Sequence, residues 1–229
     1  MLDLLPMLSL GLGLGLVHAL DADHVMAISA LNSEQGRSQK GLFFSSYWAL
    51  GHGVMIALVA ILLFAFGWVI PAQFTHIAEM AVGLLLVVLG VSLLFSFKAK
   101  QIQLDQHSHG NVTHSHWHSR QHLQSQKNDA RALTKTHKPV LVGLLHGFAG
   151  SAPAIALIPA LAYGEFSLIA LYLLTFSMGV MLAMICFSVG FCYCQDMLNR
   201  RYALMAKYQA KIIGLTSMTV GGFWLSQAV

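Results

Sequence analysis

Hydrophobic residues in this chain occur in six long runs that are separated by shorter polar segments. A helix needs about 20 predominantly apolar residues to cross the hydrocarbon core of a bilayer, and every run reaches that length. The pattern therefore predicts an all-α integral membrane protein with six transmembrane helices. The runs cover residues 4–31, 42–70, 78–97, 139–162, 166–194 and 203–226.

The composition supports the same class. Hydrophobic residues make up 56% of the 229 residues, charged residues make up 10%, and the mean hydropathy is +0.66. Soluble domains carry about 25% charged residues. We therefore expect the lipid bilayer to be the surroundings of most of the chain.

The basic residues are confined to three polar segments, and the turns near 71–77 and 163–165 have none. Lys and Arg in short loops stay on the cytoplasmic side of a membrane. We therefore expect a multi-pass protein of a bacterial cytoplasmic membrane with both termini extracytoplasmic. The net charge of +4 then reflects topology, and no nucleic-acid partner is expected. The 13 basic residues are Arg37, Lys40, Lys98, Lys100, Arg120, Lys127, Arg131, Lys135, Lys138, Arg200, Arg201, Lys207 and Lys211.

Short motifs recur at a spacing of about 130 residues. They divide the chain into a three-helix repeat at 1–97, a loop at 98–138 and a second three-helix repeat at 139–229. An odd number of helices per repeat gives the two halves opposite orientations, which is the inverted-repeat architecture of many secondary transporters. The paired motifs are Gly15-Leu-Val-His18 with Gly143-Leu-Leu-His146, Gly53-Val-Met55 with Gly179-Val-Met181, and Gly83 and Gly90 with Gly214 and Gly221.

Four ionisable residues interrupt the first apolar run: His18, Asp21, Asp23 and His24. Each aspartate near a bilayer centre costs about 2.5 to 3.5 kcal/mol on insertion scales, so something must offset the charge. Imidazole and carboxylate together are ligands of divalent transition metals. The motif therefore predicts a site for such an ion. A structural polar cluster or a metal-free proton relay is the alternative.

A regular helix cannot bring all four side chains to one ion. At about 100° per residue, His18, Asp21 and His24 share a stripe and Asp23 points away from it. His18, Asp23 and His24 can converge only if helix one is interrupted at the motif, which Gly11, Gly13 and Gly15 would ease. In the other arrangement His18, Asp21 and His24 are the ligands and Asp23 orients an imidazole. We favour the first arrangement.

Two further histidines lie in apolar runs beside glycine. His52 lies in the second run, and His146 is the repeat counterpart of His18. A single buried histidine is often a satisfied core residue, so that interpretation and a role in the metal site both stay open. We expect both histidines to approach the motif where the two halves meet.

The polar loop at 98–138 contains seven of the 12 histidines and should be largely disordered because few of its residues are hydrophobic. Clustered imidazoles suit Ni²⁺, Zn²⁺, Cu²⁺ or Co²⁺. We expect an auxiliary cluster that buffers or senses metal, and a solvated linker of biased composition is the alternative. The cluster comprises His107, His109, His114, His116, His118 and His122.

The spacing of His18, four residues and then Asp23-His24 resembles the signature of the nickel/cobalt transporter family, in particular its short urease-accessory-type nickel permeases. Ala49-Leu-Gly-His-Gly53 is similar to the second motif of that family. The resemblance implies metal binding by His18, Asp23, His24 and His52 and transport of Ni²⁺ or Co²⁺, usually inward. Longer members carry an acidic pattern where this chain has Ala149-Gly-Ser-Ala-Pro153.

The predicted function is therefore a secondary transporter that takes up Ni²⁺ or Co²⁺ as its substrate, with no cofactor. No phosphate-binding loop of an ATPase and no His-Glu-x-x-His motif occurs in the chain, so we do not expect an enzyme. Efflux of the same ions is the first alternative. A membrane-embedded metalloenzyme or a metal sensor is the alternative of another class, and a homo-oligomer and a cytoplasmic metallochaperone stay open as partners.

Overall fold

The computed structural model of the chain describes residues 4–35, 38–68, 71–99, 103–109, 112–118, 132–149, 152–201 and 203–227. The described residues form helices over most of the predicted apolar runs and two strands between residues 103 and 118. In chain order the elements are α1 (Leu4–His18), α2 (Ala22–Gln35), α3 (Ser38–Phe66), α4 (Ala72–Ala99), β1 (Gln103–His109), β2 (Val112–His118), α5 (Ala132–Phe148), α6 (Ala152–Ala160), α7 (Phe166–Arg201) and α8 (Ala203–Gln227).

The first apolar run folds as two helices that meet at the polar motif. α1 ends at His18 and α2 begins at Ala22, and the two axes are bent by 59°. The backbone amides of Leu20 and Asp21 donate to the carbonyl groups of Val17 and His18 at 3.0 Å. Such bonds three residues apart tighten the last turn of an α-helix. The motif therefore lies around a helix end, where its side chains can leave a single helical stripe.

The glycines before this break have another role than the one expected. α1 continues through Gly11, Gly13 and Gly15 without interruption. A Cβ atom on Gly11 would crowd Thr175 of α7, and one on Gly15 would overlap the Phe176 carbonyl oxygen, whereas one on Gly13 would meet nothing within 4 Å. Two of the three glycines thus allow close packing of α1 against α7 and do not unwind the helix.

Three helices within the described residues are long and apolar enough to cross a membrane: Phe43–Phe66, Ala72–Phe95 and Phe166–Leu198. The bent pair of α1 and α2 makes a fourth if it is counted as one span. The predicted run 139–162 likewise falls on two short helices, α5 and α6, and the run 203–226 falls on α8. The protein is therefore a multi-pass α-helical membrane protein.

Equivalent glycine contacts join the two halves of the chain. A Cβ atom on Gly143 of α5 would overlap the carbonyl oxygen of Trp48 of α3, as one on Gly15 of α1 would overlap that of Phe176 of α7. Gly143 lies 128 residues after Gly15, and Phe176 lies 128 residues after Trp48. α1 therefore packs on α7 through the same kind of close glycine contact as α5 does on α3.

Helices α4 and α8 pack on each other. A Cβ atom on Gly83 would lie 3.0 Å from the carbonyl oxygen of Gly221, and one on Gly90 would lie 2.5 Å from that of Gly214. The earlier glycine of one helix faces the later glycine of the other, so the two helices are antiparallel. Small residues at such contacts let helix backbones approach closely in a membrane.

The loop at 98–138 contains a β-hairpin where the composition predicted disorder. β1 and β2 pair antiparallel over seven positions, from Gln103 opposite His118 to His109 opposite Val112. An isolated hairpin is only marginally stable in water, and the predicted disorder of the loop as a whole stays a prediction. Most of the predicted auxiliary histidines lie in these strands, and His122 lies outside the described residues.

Candidate metal site

The break between α1 and α2 places two histidines beside two others from α3 and α5. The ring centres of His18 and His24 are 4.8 Å apart. His52 lies 5.3 Å from His18 and 5.2 Å from His24, and His146 lies 5.4 Å from His24. The structure thus brings together the two histidines of the motif and the two single histidines, His52 and His146, as the sequence predicted.

The four histidines are shielded from the surroundings. The exposed fraction is 2% for His18, 1% for His24, 0% for His52 and 1% for His146. One ring nitrogen each from His18, His24 and His52 can be chosen so that all three lie within 4.8 Å of one another. Nitrogen ligands about 2.1 Å from one tetrahedral ion would be about 3.4 Å apart, so ligation by all three histidines would draw these nitrogens closer together.

Most of these ring nitrogens have no hydrogen-bond partner. Within the described residues the unpartnered buried nitrogens include Nδ1 and Nε2 of His18, Nε2 of His24, Nδ1 and Nε2 of His52, and Nε2 of His146. A buried polar atom without a partner costs about 1 to 3 kcal/mol. A structural polar cluster would satisfy these atoms. Nitrogen atoms that are left free, buried and convergent are instead what a transition-metal ion binds.

Asp23 lies between two of the histidines and is 8% exposed. Its Oδ1 atom is 3.3 Å from Nδ1 of His24, and its Oδ2 atom is 4.0 Å from Nε2 of His146. Nδ1 of His146 is 2.9 Å from the carbonyl oxygen of Val142 and donates to it. The lone pair of His146 Nε2 therefore faces a carboxylate, and a cation between them would relieve that contact.

Asp21 occupies the edge of the same cluster. Its Oδ2 atom is 2.9 Å from Nδ1 of His18, within ion-pair distance but without hydrogen-bond alignment. The side chain is 38% exposed, whereas that of Asp23 is 11% exposed. Asp21, Asp23 and His24 form a second group whose ligand atoms lie within 4.8 Å of one another. Both carboxylates of the motif thus remain next to the histidines.

The helix ends add to the electrostatics of the cluster. The carbonyl end of α1 at His18 carries partial negative charge, and the amide end of α2 at Ala22 carries partial positive charge. Asp23 lies in the first turn of α2, where a carboxylate is favourable. A cation among the imidazoles is therefore attracted by the α1 carbonyl groups and by Asp23.

Two aromatic residues that the sequence did not single out enclose the histidines. The Trp48 ring stacks on His24, with ring centres 5.5 Å apart and an interplanar angle of 13°. It also makes an edge-to-face contact with His146, with ring centres 5.0 Å apart. The Phe176 ring stacks on His18 at 5.8 Å and 25°. Both aromatic residues are 0% exposed. The motif pairs in the sequence did not reveal them, because Gly53 and Gly179 are 126 residues apart whereas Trp48 and Phe176 are 128 residues apart.

The fold and these residues define a helical membrane protein with a buried histidine and aspartate cluster whose chemistry suits a metal ion. The family described as High-affinity nickel-transport protein matches residues 4–226, and the chain belongs to this family. The chain is also similar to the urease accessory protein UreH of Bacillus sp. (strain TB-90), with 29% identity over 190 residues that cover 81% of this chain and 76% of the relative. No solved structure matches the chain at a significant level.

Membership of this family confirms three predictions from the sequence. The resemblance of the His18 and His52 motifs to nickel transporters was correct. The protein serves nickel transport, and it is not an enzyme. The choice of individual ligands, the direction of transport and the role of the loop histidines stay predictions.

Proposed function

We propose that the protein is a secondary transporter that takes up Ni²⁺ across the cytoplasmic membrane, with His18, Asp23, His24 and His52 as the ligands. The observation that carries this proposal is the set of buried, convergent imidazole nitrogens without hydrogen-bond partners. His146 completes the enclosure, and Asp21 supports His18 at the edge. Co²⁺ is a second substrate of the same site, since nitrogen and oxygen ligands bind both ions.

The break in the first run gives the site its position in the transport pathway. We interpret α1 and α2 as one interrupted span, because irregular backbone at membrane depth is tolerated where it lines a site. α5 and α6 would form the matching interrupted span in the second half, and α8 would be the last of six. Transporters with such broken helices bind their substrates near the midplane.

The glycine contacts support an inverted repeat. The contact of Gly15 with Phe176 has its counterpart in that of Gly143 with Trp48, and the Gly83 and Gly90 contacts relate α4 and α8 antiparallel. Two equivalent halves can exchange conformations, so that the site between them opens first to one side and then to the other. The histidines themselves do not follow the repeat throughout. At an offset of 128 residues His146 corresponds to His18, but Val180 corresponds to His52.

Uptake is the direction favoured by the membrane potential. An inside-negative potential of about 100 mV supplies about 4.6 kcal/mol for inward movement of a dication. Basic segments on the cytoplasmic side would leave both termini outside, which protease removal of terminal tags on intact cells can test. Efflux is the alternative, and the histidine-rich strands between the halves favour it as a cytoplasmic collecting site.

Flux of radioactive Ni²⁺ into proteoliposomes tests the proposed function. We expect saturable uptake that increases with an inside-negative potential, is lost in His24→Ala and persists in His76→Ala. His76 is a matched control because its side chain is 58% exposed and pairs with Glu79 away from the cluster. Competition with Co²⁺ and Zn²⁺ would rank the ions. Equal flux in wild type and His24→Ala would contradict the assignment of the site.

The remaining partners are independent of this proposal. The loop histidines would bind metal as a buffer, and their replacement should change regulation while transport is retained. A homo-oligomer and a cytoplasmic metallochaperone stay predictions that co-purification can test.

A further inference from the structure

Buried polar side chains outside the histidine cluster are concentrated on one side of it. Among the residues whose burial the structure describes, they are Ser29, Asn32, Ser45, Ser188 and Ser217. Ser217 lies apart, on α8, where it donates to the carbonyl oxygen of Leu86 on α4 at 2.8 Å. The other four lie on α2, α3 and α7, the helices that contribute to or enclose the histidine site.

Three of these residues lie at a similar distance from the histidines. Asn32 follows His24 by eight residues on α2, which is about 12 Å along a helix. Ser45 precedes His52 by seven residues on α3, which is about 10.5 Å, and lies within about 20° of the same helix face. α2 leads away from the site and α3 returns to it, so both residues lie on the side of the basic segments.

Ser188 of α7 is at the same level because it contacts Asn32 directly. The amide of Asn32 donates to the Ser188 hydroxyl at 2.9 Å. The amide of Gln195 then donates to the Ser33 hydroxyl at 3.3 Å, closer to the end of α2. Polar side chains thus continue along the α2–α7 contact, from the level of Asn32 towards the ends of both helices.

Ser45 is the least satisfied member of this group. It is 0% exposed, and its hydroxyl has no hydrogen-bond partner in the structure. A buried hydroxyl without a partner costs about 1 to 3 kcal/mol, and alanine would avoid that cost. Asn32 uses its amide nitrogen in the bond to Ser188, so its Oδ1 atom takes no part in that bond. The unpartnered Ser45 hydroxyl is therefore the group that a passing ligand would meet without breaking a bond.

We propose that Ser45, Asn32 and Ser188 form a second, transient cation site that supplies oxygen ligands to the ion between the histidine cluster and the side of the basic segments. The inference depends on the proposed transport function. Neutral hydroxyl and amide oxygens bind Ni²⁺ or Co²⁺ more weakly than imidazole does, and they can share it with water. An ion that leaves the histidines would therefore meet ligands that hold it briefly and release it.

The test separates flux from binding. Initial uptake of radioactive Ni²⁺ is measured in proteoliposomes, and equilibrium Ni²⁺ binding and thermal unfolding are measured on the same purified chain. We expect Ser45→Ala to lower the flux at least fivefold, to leave the dissociation constant within twofold of the wild-type value, and to leave the unfolding temperature unchanged or higher. The double variant Asn32→Leu with Ser188→Ala, which removes both partners of one bond, should lower the flux further.

Two control variants decide whether the hydroxyl itself matters. Ser217→Ala removes an equally buried serine hydroxyl outside the group, and it should keep the wild-type flux. Ser45→Thr keeps the hydroxyl, and it should retain most of the flux. The proposal is overturned if Ser45→Ala transports as Ser217→Ala does, or if Ser45→Thr loses as much flux as Ser45→Ala, which would indicate packing alone.

The same measurements distinguish this inference from the transport function. Wild-type flux that depends on His24 and is unchanged in Ser45→Ala rejects only the second site. Absence of His24-dependent flux in the wild type rejects the transport proposal, and the second site with it.

Discussion

Trp48 and Phe176 lie 128 residues apart in the chain, and each stacks on a different histidine of the buried cluster: Trp48 on His24 and Phe176 on His18. Each also presents its backbone carbonyl oxygen to a glycine of the opposite half, Gly143 for Trp48 and Gly15 for Phe176. The same two residues therefore pack α3 on α5 and α7 on α1 and also hold the rings of two histidines in place. A movement of one half relative to the other must change the surroundings of the imidazoles.

Replacement of Trp48 by leucine should weaken Ni²⁺ binding about tenfold, as loss of the groups that orient metal ligands commonly does. The reason is that the Trp48 ring holds both His24 and His146. Titration calorimetry on the purified chain measures the effect. Trp68→Leu is the matched control, since Trp68 is 66% exposed, and it should bind Ni²⁺ as the wild type does. Equal affinities of the two variants would show that Trp48 does not position the histidines.

Replacement of Gly15 or Gly143 by alanine should lower the free energy of unfolding by about 1 to 3 kcal/mol or more, as overpacking does. In both cases the added methyl group would overlap a backbone carbonyl oxygen of the other half. Gly13→Ala is the control on the same helix as Gly15, because its methyl group would meet nothing within 4 Å. It should be neutral or stabilising by about 0.5 to 1 kcal/mol. Denaturant unfolding in detergent should therefore give Gly13→Ala a higher free energy of unfolding than either other variant. The reverse order would contradict the close helix contacts.

Replacement of Asp23 by asparagine should weaken Ni²⁺ binding by about 10- to 100-fold. The carboxylate is nearly buried and reaches His24 and His146, so the charge lost there is poorly screened. Asp21→Asn removes the same charge from a side chain that is 38% exposed, and its effect should be clearly smaller. The dissociation constant for Ni²⁺, measured on both purified variants, gives the comparison. A larger loss in Asp21→Asn would favour the arrangement in which Asp21 is the ligand.

Acidification should weaken Ni²⁺ binding. Conversely, Ni²⁺ binding should release protons from the histidines. An imidazole must be neutral to bind a metal, so protons compete with Ni²⁺ for His18, His24 and His52. We therefore expect the affinity for Ni²⁺ to fall as the pH is lowered. Calorimetry in buffers of different ionisation enthalpy counts the released protons. A pH-independent affinity would argue against imidazole ligands.

Much of the fold could be predicted from hydrophobicity alone. A run of about 20 apolar residues must satisfy its backbone polar groups internally in lipid, so each run had to be helical. The cost of His18, Asp21, Asp23 and His24 in such a run also indicated a site before any contact was known. Hydrophobicity alone did not predict the pairing of β1 with β2, because backbone pairing does not require apolar residues.

The sequence by itself determined the candidate site residues, which are the motif from His18 to His24 and the single His52 and His146. They stand out because an ionisable side chain in an apolar membrane segment is costly unless it has a partner or a function. Only the tertiary structure decided that His18, His24 and His52 converge, that His146 lies against His24, and that Trp48 and Phe176 pack on this cluster. It also decided that the helix break follows Gly15 and does not occur within the glycines. Such contacts join residues more than 100 positions apart, and they depend on how helix faces pack, which the hydrophobic pattern of each helix leaves undetermined.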